Sequence, residues 1–235
     1  MDNQQPRPFE ERLAIIAKNA KFGDGYYWKH PECKNYKVIF TSTSKDLLEV
    51  KRAYLPELFT SGVKEIPLSN AAGRYANAKP LFRLASRTSE VFSRYKMTGH
   101  MDLLSELDVE DLGLWYLDDG CTIARRDSEY GYTRTSLCIG SICQSDSDRN
   151  KFLTEMRRIF NCSTIGNVGY NTPDRSTNNM RWNIPTKVSE KILEEGAKHC
   201  VLKHKFPSWV RFRDHSVGEV VSKGKSTRST EAIKA

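Results

Sequence analysis

The 235-residue chain lacks the patterns of several large protein classes. No apolar run approaches the roughly 18 residues that a transmembrane helix needs, and segment 1–8 is polar rather than signal-like. We therefore expect a soluble, intracellular protein. No P-loop and no dinucleotide-binding glycine motif occurs, which argues against an ATP-driven or redox enzyme.

The cysteines and the charge balance narrow the class further. The six cysteines form no CxxC pair and no zinc-ligand spacing, so we expect reduced thiols that pack in the core or the sheets. The 37 Lys and Arg residues exceed the 29 Asp and Glu residues, and the net charge is +8. This excess favours a polyanionic partner through counterion release, and nucleic acid is the expected one.

Two segments share a design in which a helix ends in an acid followed by glycine. Segment 112–120 reads LGLWYLDDG, and segment 17–25 reads AKNAKFGDG. In the second copy, Asp108 is the predicted N-cap and Gly120 the predicted stop. Glycine suits the left-handed or tight backbone just past a helix end, and strand-like sequence follows each copy. The repetition indicates a duplicated unit.

The acids before the two glycines predict a metal site. Asp24 and Asp119 come together if the two helices pack side by side. Because neighbouring carboxylates repel each other, a bound divalent cation is the usual remedy.

These motifs resemble those of the LAGLIDADG homing endonucleases, in the single-chain form that carries two copies. The separation of the two acids, 95 residues (119 − 24), is about one repeat of that family. The resemblance implies an α/β (α+β) fold of two pseudo-symmetric αββαββα halves. Antiparallel sheets would form a DNA-binding saddle, and small residues would let the two motif helices pack closely at the interface. The first motif departs from the family at Asn19 and Lys21, where small or apolar residues are usual.

The resemblance also implies a catalytic site. Asp24 and Asp119 would bind Mg²⁺, and the main-chain carbonyls of Gly23 and Asp118 would help. The family places one basic residue per half near the scissile phosphates. Lys96 fits this role in the first half. An internal echo between 94–96 and 211–213 suggests Arg213 in the second half, with Arg211 as an alternative.

We expect DNA contacts from the strands, because a two-stranded antiparallel ribbon fits the major groove and alternate residues face the bases. The candidates are polar or basic residues on strand-like segments: Lys29, Lys37, Thr41 and Arg83 in the first half, and Arg125, Arg126, Arg134, Ser136 and Arg181 in the second.

The repeat sets the expected boundaries. The first half covers 1–96, a connector 97–107, the second half 108–213 and a flexible basic tail 214–235. Helices are predicted at 46–55 and 148–160, in matching places of the two halves.

The predicted function is that of a site-specific homing endonuclease. It would hydrolyse phosphodiester bonds of double-stranded DNA at a long asymmetric target, depend on Mg²⁺, and promote the mobility of its intron or gene. Two unlike halves in one chain suit a monomer with internal pseudo-two-fold symmetry. The alternative is an intron maturase that binds structured RNA. Segment 116–119 also spells the YxDD turn of reverse transcriptases, but that turn lies in a β-hairpin rather than at a helix end.

Overall fold

The computed structural model describes residues 7–66, 79–124, 133–140, 142–166, 168–170 and 180–199. The elements of the first half are α1 (Phe9–Phe22), β1 (Gly25–Trp28), β2 (Lys37–Ser42), α2 (Lys45–Tyr54), β3 (Lys64–Ile66), β4 (Leu81–Ala85) and α3 (Glu90–Met97). Those of the second half are α5 (Val109–Asp119), β5 (Gly120–Ala124), β6 (Thr133–Cys138), α6 (Asp146–Phe160), β7 (Val168–Tyr170), β8 (Met180–Ile184) and α7 (Thr186–His199). Both halves follow the predicted αββαββα order, and the connector holds the short helix α4 (His100–Leu103) and a 3-10 turn at Leu104–Glu106.

Each half contains one four-stranded antiparallel sheet, as predicted. The strand order is β1-β2-β4-β3 in the first sheet and β5-β6-β8-β7 in the second. One face of each sheet lies against the helices and carries fully buried side chains: Val38, Phe40 and Leu84 in the first half, Leu137 and Trp182 in the second. The alternate residues of the same strands point to the opposite face.

Polar caps set the starts of α2, α5 and α6. Asp108 caps α5 as predicted and forms a reciprocal capping box with Asp111. Ser145 and Asp148 form the same box at the start of α6. Helix α6 therefore begins at Asp146, two residues before the predicted start, and α2 begins at Lys45, one residue early, because Ser44 caps it.

The glycine after α5 serves a different purpose from the one predicted. Gly120 has φ −76°, which is ordinary extended backbone and not left-handed. A Cβ at this position would lie 2.2 Å from Tyr116 Cδ2 and 2.3 Å from the Tyr116 carbonyl oxygen. Gly25, which begins β1, meets the same limit because its Cβ would lie 2.6 Å from Ala20 Cα. Both positions need glycine for space rather than for an unusual backbone angle.

The two motif helices, α1 and α5, run in the same direction. At their N-terminal ends, the Arg7 guanidinium lies 2.9 Å from Asp108 and 2.6 Å from Glu110. Near their C-terminal ends, the rings of Phe22 and Trp115 are 5.1 Å apart. The helices are therefore parallel neighbours at the interface between the halves.

Gly113, the glycine within α5, does not make its close contact with the other motif helix. A Cβ on Gly113 of α5 would lie 2.8 Å from the backbone nitrogen of Gly196 and 2.9 Å from Glu195 Cβ, and both belong to α7. The close approach of α5 is thus to the last helix of its own half. Polar pairs and the Phe22–Trp115 contact join α1 to α5, and Gly23 at the end of α1 lies against Asp118.

Two further findings bear on the predicted class. Within the described ranges, no helix combines the length and the apolar character that a membrane span requires. Five of the six cysteines lie in those ranges, and all five are free thiols.

Candidate active site at the ends of the motif helices

Asp24 and Asp119 lie at the same end of the α1–α5 pair. Asp24 is exposed in the turn between α1 and β1, and Asp119 is the last residue of α5. Asp119 is half-buried, and its Oδ2 accepts a hydrogen bond from the Trp115 indole at 3.1 Å. Since α1 and α5 are parallel, the sequence prediction of two acids at one end of a helix pair matches this arrangement. Their role as metal ligands stays a prediction.

The Asp118 carboxylate is buried and paired with a lysine. Lys51 of α2 has a side chain 2% exposed, and its Nζ lies 2.9 Å from each Asp118 carboxylate oxygen. The Asp118 side chain itself is fully buried. The ammonium group therefore neutralises this carboxylate, and any contribution of Asp118 to a metal is limited to its main-chain oxygen. Sequence reasoning did not identify Lys51, because a lysine in an amphipathic helix normally faces solvent.

Asn19, one of the two departures from the family motif, binds the same carboxylate. Its Nδ2 donates to Asp118 Oδ2 at 3.1 Å, and its Oδ1 accepts a hydrogen bond from Lys51 Nζ. The main-chain N–H of Asp24 also donates to Asp118 Oδ2, at 3.2 Å. We refer to Asn19, Lys51 and Asp118 as the Asp118 network. The unusual polar residue of the first motif is thus the partner of an acid in the second.

Gly23 leaves the space that the Asp118 carboxylate occupies. A Cβ at position 23 would lie 2.2 Å from Asp118 Oδ2 and 3.1 Å from the Asn19 carbonyl oxygen. We expect Gly23→Ala to lower the free energy of unfolding by about 1–3 kcal/mol, because a buried ion pair must shift to make room. Thermal unfolding measures this loss. Gly166→Ala is the matched control, since a Cβ there meets nothing within 4 Å; equal stability of the two variants would contradict the expectation.

A second buried ion pair ties α1 to the start of α5. Lys18 Nζ lies 2.5 Å from Asp111 Oδ2 and donates to the Glu106 carbonyl oxygen at 2.9 Å. Burial raises the pKa of Asp111 to about 7, and the charge of Lys18 opposes this shift. Lys18 occupies the place in the first motif that Gly113 occupies in the second, since each lies six residues before its acid. Two buried lysines of the first half thus pair with acids of the second half, Lys18 with Asp111 and Lys51 with Asp118.

The main chain of Lys96 is held by a lysine in the last turn of α1. Its carbonyl oxygen accepts a hydrogen bond from Lys21 Nζ at 3.2 Å, and Lys21 precedes Asp24 by three residues. Burial, followed by the charge of Lys96, lowers the pKa of Lys21. The His100 ring donates from Nε2 to the Lys21 carbonyl at 3.1 Å, so the second departure from the motif is held by helix-end contacts. Arg211 and Arg213 lie outside the described residues.

The acids present suit Mg²⁺ bound together with a nucleic-acid phosphate. Within the described ranges, no group of three or more His, Cys, Asp and Glu side chains is placed to hold a metal ion by itself. Mg²⁺ usually keeps several waters and takes only one or two carboxylates plus substrate phosphates. Two aspartates at one end of a helix pair satisfy that requirement, whereas the Asp118 carboxylate, already paired with Lys51, does not.

The outer face of the first sheet carries three of the predicted DNA contacts. Lys37 and Thr41 alternate with the buried residues of β2, and Arg83 pairs with Thr41 across the sheet. Arg83 is exposed, and Lys37 and Thr41 are half-buried. Lys29, just past β1, is exposed with its Nζ 5.7 Å from the Tyr36 ring centre.

Sequence reasoning missed two aromatic side chains and a lysine on this face. Tyr26 is 45% exposed and Trp28 is 39% exposed, and Lys37 Nζ lies 4.4 Å from the Trp28 ring centre. Lys64 of β3 pairs with Arg83. In the segment YYW, the first and third residues are exposed and the middle one is half-buried. The period-two alternation of a strand could therefore have predicted that Tyr26 and Trp28 share a face.

Of the DNA contacts predicted on the second sheet, only Arg181 and Ser136 have described side chains, and the two differ in exposure. Arg181 alternates with the buried Met180 and Trp182 and is half-buried. Ser136 lies on the same side but is only 6% exposed, so it offers little surface to a ligand. Arg134 precedes Ser136 by two residues in β6, and its side chain lies outside the description, as do Arg125 and Arg126.

Solved structures share this architecture. The chain superposes on the homing endonuclease I-WcaI, described as bound to its DNA recognition sequence, with a TM-score of 0.60, 19% identity and coverage of 83% of this chain and 84% of that one. The fold is that of the LAGLIDADG homing endonucleases. The LAGLIDADG resemblance drawn from the two motifs is thus confirmed at the level of the fold.

Two weaker matches are also found. The N-terminal LAGLIDADG domain of DUF199/WhiA matches with a TM-score of 0.46 and 14% identity, covering 83% of this chain and 84% of that one. Full-length DUF199/WhiA from Thermatoga maritima matches with a TM-score of 0.46 and 12% identity, covering 81% of this chain and 57% of that one. No protein-family model and no curated protein sequence matches the chain.

Proposed function

We propose that the chain is a site-specific endonuclease that hydrolyses phosphodiester bonds of double-stranded DNA. The observation that carries this proposal is the parallel pair of motif helices, which presents Asp24 and Asp119 at one end on a LAGLIDADG endonuclease fold. The net charge of +8 and the DNA-bound state of I-WcaI support a duplex DNA partner. Promotion of intron or gene mobility belongs to the same proposal, and one chain acts as a pseudo-symmetric monomer.

The acids would hold Mg²⁺ between the halves. When bound, Mg²⁺ activates water and stabilises the leaving oxygen of the phosphodiester. Asp24 and Asp119 would supply the carboxylates, with the main-chain oxygens of Gly23 and Asp118 beside them. Trp115 orients Asp119 through the indole hydrogen bond to Oδ2. Lys96, whose carbonyl oxygen accepts a hydrogen bond from Lys21 in the last turn of α1, would offset charge on the scissile phosphate of the first half.

The altered first motif is the feature that favours the maturase alternative. In the structure, Asn19 is a satisfied partner of Asp118 and Lys51, so this departure is explained by packing and does not indicate decay of a nuclease site. The Asp24→Asn variant separates the two functions: cleavage of DNA would disappear, whereas an RNA-binding function in splicing would persist.

The outer face of the first sheet gives a test of DNA binding that needs no cleavage. With non-specific duplex DNA as the probe and EDTA present, we expect Arg83→Gln to weaken binding and to reduce the slope of log Kd against log salt by about 0.9, because one phosphate contact is lost. Lys191→Gln on α7 is the charge-matched control, since that exposed lysine lies on a helix packed behind the sheets. Equal salt slopes for Arg83→Gln and Lys191→Gln would show that DNA does not contact Arg83.

A further inference from the structure

A buried lysine on α2 is connected to the acid of the first motif through one carboxylate. Lys51 is 1% exposed, and its Nζ lies 4.5 Å from the Phe40 ring centre, inside the core of the first half. The ammonium group reaches both oxygens of Asp118 and the amide oxygen of Asn19. Its hydrogen-bonding capacity is therefore used within the Asp118 network.

The same carboxylate holds the backbone of the first acid. Asp118 Oδ2 accepts from Lys51, from Asn19 and from the main-chain N–H of Asp24. Gly23 lies directly against that oxygen, where no Cβ would fit. The turn from α1 into β1 is thus fixed at Asp24 by a charged group that belongs to the second motif.

The position of the second half that corresponds to Lys51 holds an uncharged residue, Phe152. Lys51 follows the N-cap Ser44 of α2 by seven residues, and Phe152 follows the N-cap Ser145 of α6 by seven residues. Phe152 is fully buried and packs edge-on against Trp115 and Trp182, with ring centres 6.4 and 5.4 Å apart. An apolar side chain therefore suffices at this place in the fold.

A buried ion pair at such a place is seldom explained by stability. Desolvation of the two charges offsets their attraction, and well-packed apolar residues usually serve as well or better. The network does make one contact that an apolar pair cannot make, the hydrogen bond from the Asp24 N–H.

We propose that Lys51 is a positioning residue for Asp24, acting through the Asp118 carboxylate. The proposal rests on the proposed function, because its consequence is the correct placement of a metal-binding acid. Lys51 contacts no substrate; it keeps a charged acceptor beneath the turn at residues 23–25. The two acids are therefore held differently, Asp24 through its backbone by a buried ion pair and Asp119 through its side chain by Trp115.

The test uses a double variant that removes both charges together. Lys51→Met with Asp118→Leu avoids leaving a buried charge alone and removes the oxygen that accepts from the Asp24 N–H. The protein is expected to fold, because an apolar pair can fill this place. Phe152→Leu is the matched control, since it disturbs the equivalent core position of the second half. Thermal unfolding first establishes that the control has lost at least as much stability as the double variant.

Two readouts then separate positioning from a merely structural role. The first is hydrogen exchange of the Asp24 amide by NMR, which needs no metal. The second is binding of Tb³⁺ alone, detected by emission sensitised through Trp115. In the double variant we expect faster exchange at Asp24 and Tb³⁺ affinity lowered about tenfold, the scale of losing a hydrogen bond to a charged group. Asp24 exchange should stay close to wild type in Phe152→Leu. Tb³⁺ emission is compared only between the wild type and the double variant, because Phe152 packs against the sensitiser Trp115.

The outcomes distinguish the two proposals. Unchanged Asp24 exchange in the double variant would overturn the positioning role, as would an equal rise of Asp24 exchange in Phe152→Leu. Absence of both Tb³⁺ binding and Mg²⁺-dependent DNA cleavage in the wild type would instead contradict the proposed function, and with it the consequence drawn for Lys51, while exchange at Asp24 would still report whether the turn is held as described.

Discussion

Replacing Asp119 by asparagine is expected to slow DNA cleavage about a thousandfold or more. A carboxylate that helps to hold a catalytic cation contributes several kcal/mol to the transition state, and each 1.36 kcal/mol corresponds to a factor of ten in rate. The fold should survive, because the asparagine Oδ1 can still accept the hydrogen bond from the Trp115 indole. Asp24→Asn should have a similar effect on cleavage, because Asp24 is the equivalent acid of the first motif, and the fold should survive because Asp24 is exposed.

The measurement compares single-turnover cleavage rates in Mg²⁺ with DNA binding in Ca²⁺. Glu32→Gln is the charge-matched control, because the Glu32 side chain is 89% exposed in the β1–β2 loop. Binding should be retained by all three variants, and cleavage should be lost only in the two motif variants. Cleavage by Asp119→Asn at the wild-type rate would remove Asp119 from the mechanism.

Replacing Lys51 by methionine is expected to destabilise the protein more than Gly23→Ala does. The change leaves the Asp118 carboxylate buried without its cation, and breaking a buried pair in this way costs about 3–5 kcal/mol. For a chain of this size, such a loss lowers Tm by about 10 °C. Asn19 and the Asp24 N–H remain as donors, but neither carries a charge.

Lys45→Met gives a matched comparison on the same helix. Lys45 is exposed at the start of α2, so the same substitution there should change the free energy of unfolding by less than about 0.5 kcal/mol. Chemical denaturation of both variants measures the difference. If Lys51→Met were as stable as Lys45→Met, the buried pair would contribute nothing to the fold.

The fold could be predicted because the signals that carry the family resemblance are local and repeated. The capped helix from Asp108, and the acid and glycine that end each motif about 95 residues apart, indicated a duplicated unit, and the resemblance to the LAGLIDADG endonucleases implied its αββαββα order, which the structure shows. Alternation along β2 also placed Lys37 and Thr41 on one face. Arg83 was predicted only to lie on a later strand, and its pairing with Thr41 puts it on the same face.

The interior of the site could not be predicted in the same way. Lys51, Asn19 and Asp118 come from three helices, and nothing in the spacing of the sequence shows that they meet. Lys51 is buried, whereas lysine usually faces solvent. Gly113 allows the close approach of α7 rather than of the other motif helix. Such pairings depend on how helices pack, which a local pattern does not encode.

The most direct test of the endonuclease function is sequencing of the DNA ends that the purified chain produces from a library of randomised duplexes in Mg²⁺. We expect defined ends at one long asymmetric site, produced by the wild type and by Glu32→Gln and absent with Asp119→Asn. Absence of specific ends in Mg²⁺, together with tight binding to a structured intron RNA, would contradict the endonuclease and support the maturase.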